Sequence, residues 1–130
     1  MNFRHSELSK KVIAAAYDVH NELGHGFLEK VYKNALAVRL DECGIKCVLE
    51  MPLKVTYHDR EVGEYYADMV VEDKIVVEVK AVTKLEPIHE VQLVNYLKAA
   101  GMGLGLLMNF GESVQIKRRV FGFEPGKEED

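Results

Sequence analysis

An α/β fold with the element order ααβββαββ is what this 130-residue chain predicts, on three observations. Its first third repeats apolar residues at helical spacing, its middle alternates with period two, and a third helical segment precedes two final apolar runs. A helix between two strands allows a parallel return, so the sheet is expected to be mixed and flanked by helices.

Residues 6–23 carry Leu8, Val12, Ala15, Ala16, Val19 and Leu23 at helical spacing, with Ser6 as the expected N-cap and Gly24-His25-Gly26 as the stop. Residues 27–43 read as a second helix with Leu28, Val31, Ala35 and Val38 on its buried stripe and Gly44 just beyond its end. The period then falls to two. Met51, Leu53, Val55 and Tyr57 alternate with Pro52, Lys54 and Thr56, and the proline assigns this strand to an edge. His58-Asp59-Arg60 turns the chain into a hairpin over 64–81, whose β-branched strands flank Glu72-Asp73-Lys74. The third strand is almost wholly apolar and is expected at the centre. Glu86 and Pro87 open a third helix to about Ala100, with Val91, Val94 and Leu97 facing inward and Gly101 closing it. Residues 103–109 should return parallel to the Lys80 strand, and 114–121 form the last strand. Gly101-x-Gly103-x-Gly105 enters a strand rather than a helix, so it reads as close packing and not as a phosphate loop.

One domain over 1–123 with a loose tail at 124–130 accounts for the chain, whose 48% hydrophobic and 29% charged composition is that of a globular protein. No apolar run approaches the roughly 20 residues of a membrane span, and no signal peptide is legible, so the cytoplasm is the expected compartment. Cys43 and Cys47 lack a second Cys/His pair and read as free thiols. His20 and His25 are five apart, the wrong spacing for two ligands on one helical face, and read as surface or cap residues. A net charge of −4 argues against holding nucleic acid by bulk electrostatics. Lys10-Lys11, Lys30, Lys33 and Lys117-Arg118-Arg119 remain candidates for a local basic track.

The hairpin carries the charges that ask for a reason. Glu78 and Lys80 share one strand face while Val77 and Val79 share the other. A three-residue loop pairs Val71 with Ile75 and sets Asp68 opposite Glu78, whereas a two-residue loop would pair Asp68 with Val79 on the wrong face. Two carboxylates and an ammonium on one face suit a hard divalent cation, Mg2+ first, and a solvated ion pair is the plainer alternative. Glu29 and Tyr32, three apart on the second helix, and Gln92 and Tyr96, four apart on the third, add polar groups that could converge there.

Taken in order, Gly26-x-x-Glu29-x-x-Tyr32, Ala67-Asp68, Glu78-Val79-Lys80-Ala81 and Gln92-x-x-x-Tyr96 resemble the prokaryotic GxxExxY protein family, which is similar to the PD-(D/E)XK nuclease superfamily. The resemblance spans about residues 6–121 and implies a restriction-endonuclease-like core. It implies Asp68, Glu78, Lys80 and Gln92 as catalytic residues and Mg2+ or Mn2+ as the cofactor. Asp68 and Glu78 would be the ligands, with the Val79 carbonyl and Glu29 as further ones. Lys80 would position the attacking water, Gln92 and Tyr96 would hold that water or a phosphate, and Tyr32 would support the site or touch nucleic acid. Ala67 stands where the superfamily has proline, and Tyr66 where relatives often carry arginine. The implied activity is a nuclease on DNA, or on RNA. A non-catalytic module binding a protein or nucleic acid, and a hydrolase of small phosphates, are the alternatives. A homodimer would place a second site on the opposite strand of a duplex, though no heptad or dominant apolar patch calls for one.

Overall fold

The helical repeats become α1 (Ser6–Leu23) and α2 (Glu29–Glu42), followed by β1 (Cys47–Tyr57), β2 (Arg60–Val71), β3 (Ile75–Lys80), α3 (Pro87–Ala100), β4 (Leu104–Phe110) and β5 (Val114–Val120). This is a computed structural model that describes residues 5–122, and the expected tail at 124–130 lies outside the described residues. The sheet runs β1-β2-β3-β4-β5, with β3 and β4 parallel and every other neighbouring pair antiparallel. The expected mixed sheet and its ααβββαββ order are therefore present. No helix among the described residues is long and apolar enough to cross a membrane.

Helices cover both faces of the sheet. On one side α1 and α2 bring Val12, Ala16, Leu36 and Leu40 onto Met69, Val77, Val79 and Leu106. On the other, Leu93 and Leu97 of α3 pack on Val70, Val76 and Leu107. Strands covered twice must be apolar throughout, and every residue of β4 is buried. Gly105 permits the close approach of α3, because a Cβ there would fall 2.7 Å from Leu93 Cδ1. Pro52 sits on β1, an edge strand, where its missing N–H costs no ladder bond toward a further neighbour.

Three helical details differ from the sequence reading. The cap of α1 is His5, in a left-handed backbone conformation, and Ser6 is already helical. Leu28 is extended and α2 begins at Glu29, with Tyr32, Leu36 and Leu40 buried, while Leu28 and Val38 are 80% and 62% exposed. Two apolar rows lie side by side on this helix, and the row with the bulkier residues fills the core against Phe110. On α3 the inward residues are Leu93 and Leu97, and Val91 is exposed. The histidine expectation also changes: His20 Nε2 lies 2.8 Å from the Gly111 carbonyl and its ring stacks on Phe110, tying the end of α1 to the β4–β5 turn.

The hairpin register is the one required by the odd loop, with Val71 opposite Ile75 and Met69 opposite Val77. Beyond Met69, β2 leaves β3 and continues with β1 as a two-stranded arm that lies over α3, where Tyr65 meets Tyr96. Both strands of the arm change face at one position. Leu49 and Met69 pack with the α1/α2 side, whereas Met51 and Ala67, two residues along, pack with the α3 side. Between them Glu50 adopts a left-handed backbone with φ of 53°, and the Glu50–Asp68 rung is missing from the ladder.

Candidate active site

Asp68 and Glu78 meet where β2 peels away from β3, and each holds the other's strand. The Asp68 N–H donates to Glu78 Oε2 at 2.8 Å, and the Val79 N–H donates to Asp68 Oδ2 at 2.8 Å. Backbone donors freed by the parting strands are thus satisfied by the two carboxylates. One oxygen of each is fixed by this exchange. Lys33 Nζ lies 3.9 Å from Asp68 Oδ1 and also pairs with Glu50.

Electrostatics identify what else converges. Glu78, 5% exposed, is pushed up to about 8 by burial and by the charge of Asp68, with Glu29 adding to the rise and Lys80 opposing it. Asp68 is raised by burial, against the Val79 hydrogen bond and the lysines Lys33 and Lys80. Glu29, the first residue of α2, is raised by burial and by Asp68, with Lys80, Lys33 and His89 pulling the other way. Burial would lower Lys33, but its bond to Glu50 and the charge of Asp68 outweigh that and raise it. The Tyr96 hydroxyl is raised by burial and by Glu78. Three acids, two lysines and Tyr96 therefore share one field.

The residues named from the sequence divide accordingly. Glu29, Asp68, Glu78 and Lys80 are within electrostatic reach of one another, Tyr96 is within reach of Asp68 and Glu78, and the Val79 N–H is spent on Asp68 while its side chain lies in the core. Gln92 is exposed, one turn before Tyr96. Tyr32 is fully buried and cannot touch nucleic acid. Its hydroxyl donates to the Gly24 carbonyl at 2.6 Å and accepts the Phe27 N–H at 3.3 Å, and its ring stacks on Phe110. The Gly-x-x-Glu-x-x-Tyr run is thereby explained: Gly26 takes a φ of 105°, Tyr32 pins the loop from beneath, and Glu29 is delivered at the helix start. Glu50 and His89 escaped the sequence reading, and Lys33 was assigned to a surface track. The track itself is divided, because Arg118 lies opposite Leu106 of one core face while Lys117 lies opposite Leu107 of the other, and Arg119 pairs with Glu90. Tyr66, at the position of the expected arginine, donates to Glu64 at 2.8 Å.

Buried carboxylates set side by side are costly unless a cation shares them, and oxygen donors of this kind match a hard divalent ion. Asp68 and Glu78 fit one on that ground. Among the described residues no three Asp, Glu, His or Cys side chains form a ready-made chelate. Protein would then supply part of the coordination shell, as suits an ion that retains waters.

Comparison with known proteins gives the family and the fold. The profile of the PD-(D/E)XK nuclease superfamily matches residues 6–120. The crystal structure of SSO0001 is similar in fold, with a TM-score of 0.58 at 16% identity, over 73% of this chain and 50% of that one. The chain thus spans about half the length of that protein. No curated protein matches it.

Proposed function

Because the chain belongs to the PD-(D/E)XK nuclease superfamily, we propose that it is a Mg2+- or Mn2+-dependent nuclease hydrolysing phosphodiester bonds in DNA, or in RNA. The observation that carries this is the reciprocal clamp between Asp68 and Glu78, which holds two acids together in a buried setting with Lys80 beside them. Asp68 and Glu78 are the residues to hold the ion, with the Val79 carbonyl and Glu29 as further donors. Bound there, it would lower the pKa of water and offset charge on the phosphorane oxygens. Lys80 orients the attacking water, whose oxygen bonds to phosphorus as the bond to the leaving oxygen breaks. Tyr96 and Gln92 hold the water or a phosphate oxygen. We propose membership of the GxxExxY family on the same ground, since Gly26, Glu29 and Tyr32 are the residues that set the start of α2.

A second reading, a module that binds a protein or nucleic acid without cutting it, is favoured by Ala67 and Tyr66, which depart from the proline and arginine that the resemblance implies at those positions. One assay separates the two. Labelled single- and double-stranded DNA and RNA are incubated with the protein and Mg2+ or Mn2+, beside Asp68→Ala as the contamination control. Cleavage lost in the variant supports the nuclease; equal inactivity of both proteins on every substrate would overturn it.

A further inference from the structure

Next to the acidic cluster lies a groove of about 600 Å³ that the proposed chemistry does not use. Its lining begins where the site ends. Leu28 precedes Glu29, and Ala81 follows Lys80. The floor is Asn109, which stands opposite Lys80 across the parallel β3–β4 pair, so the groove opens beyond the carboxyl ends of both strands. Ligands of open α/β sheets commonly bind there. Asn109 is 1% exposed and locks the wall: its Oδ1 accepts the Val82 N–H at 2.9 Å, and its Nδ2 donates to the Val82 carbonyl at 2.8 Å. The β4–β5 turn on the far wall is held by the His20 contact to Gly111. The cavity is therefore preformed, and its size is that of a small-molecule site.

Its chemistry identifies the occupant. Phe27, half-exposed, and Leu28 present apolar surface, while Thr83, Ser113 and Gln115 offer hydroxyl and amide groups. Among the residues lining it there is no Lys or Arg, and Glu112 is the sole carboxylate. With His25 and Glu112 as its only ionisable side chains, such a lining lacks the lysine or arginine that would hold a phosphate but suits a flat, uncharged ring with hydrogen-bonding edges. Resting on the nuclease reading of the adjoining cluster, we infer that this groove receives an unpaired nucleobase next to the scissile phosphate, with Phe27 as its stacking face. A base seated there is out of its duplex, and since unpairing costs least where the base is already free, the favoured substrate is single-stranded nucleic acid, or a flap or overhang with free nucleotides beside the cut.

The test is binding measured without metal, so that it does not depend on cleavage. Short DNA oligonucleotides carrying a fluorescent adenine analogue are titrated with the full chain, as single strands and as blunt duplexes. The single strand should bind at least about tenfold more tightly and its fluorescence should be quenched, and Phe27→Ala should weaken it about tenfold, in line with one lost base–aromatic stack. Because Phe27 also meets the edge of Tyr32, Ser113→Trp provides a second variant that fills the groove from an exposed turn and should weaken single strands alike. Equal affinity for duplex and single strand, or single-strand binding unmoved by both variants, overturns the inference. Failure of the nuclease reading looks different: quenching intact, with no cleavage when Mn2+ is added.

Discussion

Glu78 carries the largest consequence at the scale of single residues. Its pKa in the fold is about 8 against an ordinary 4.5, so folding favours the protonated form. The sign follows directly: this contribution to stability is complete below about pH 4.5 and is lost as the pH rises through about 8. Asp68 and Glu29 are raised as well and act in the same direction. The metal-free protein should accordingly lose melting temperature between those limits, and Glu78→Gln should flatten the loss; an unchanged slope in the variant would refute the assignment. Tyr32 gives the opposite kind of prediction, structural rather than electrostatic. Removing its hydroxyl in Tyr32→Phe leaves the Gly24 carbonyl and the Phe27 N–H without that partner, which should cost about 1–3 kcal/mol in urea denaturation. Were Tyr32 a nucleic-acid contact, stability would stay put and binding alone would fall.

Elements pack here through a few contacts that admit no extra atom, and the α3–β4 contact at Gly105 is the sharpest. In Gly105→Ala the new methyl meets the whole isobutyl group of Leu93, which is fully buried and has nowhere to turn. A loss of about 1–3 kcal/mol is expected, with thermal melts showing the double variant with Leu93→Ala to be less destabilised than the sum of the two single changes. Close packing at the Gly101-x-Gly103-x-Gly105 run was legible beforehand though its partner on α3 was not, and the elements and the hairpin register were legible because periods of 3.6 and two and the parity of a three-residue turn are local properties. The buried row of α2 was not legible. Val31 and Val38 are as apolar as Leu36 and Leu40, and the choice between the rows is made by core partners distant in sequence, Phe110 against Tyr32 among them. Glu50 was hidden for a similar reason, since its place beside Asp68 arises from the β1–β2 register and a left-handed backbone that no glycine marks. Lys33 could have been found: it stands four residues after Glu29 on the same helical face.

Across the whole molecule, charge rather than shape decides how the protein can meet a polyanion. The chain carries a net −4, and two of its most clustered basic residues, Arg118 and Arg119, belong to a tripeptide that the sheet splits between faces, which argues against binding through a broad cationic surface on β5. Association with nucleic acid should therefore depend only weakly on salt, with a log–log slope well short of the value near −10 seen where many phosphates are neutralised. The cation expected between Asp68 and Glu78 would add to the local positive charge of Lys33 and Lys80, and its binding must compete with protons for the same oxygens. Thermal shift with Mn2+ measures this. Stabilisation should saturate, reaching about 2.7 kcal/mol at a hundredfold excess over Kd, and should grow as the pH rises toward 8, the range in which Glu78 gives up its proton. Above about pH 8, where Glu78 is ionised, Glu78→Gln should reverse the order of stabilities: above wild type without metal, because a buried charge has been removed, and below it at saturating Mn2+, because the ion has lost its site. A variant that stays above wild type at every Mn2+ concentration would mean that the clamp between the strands holds no cation.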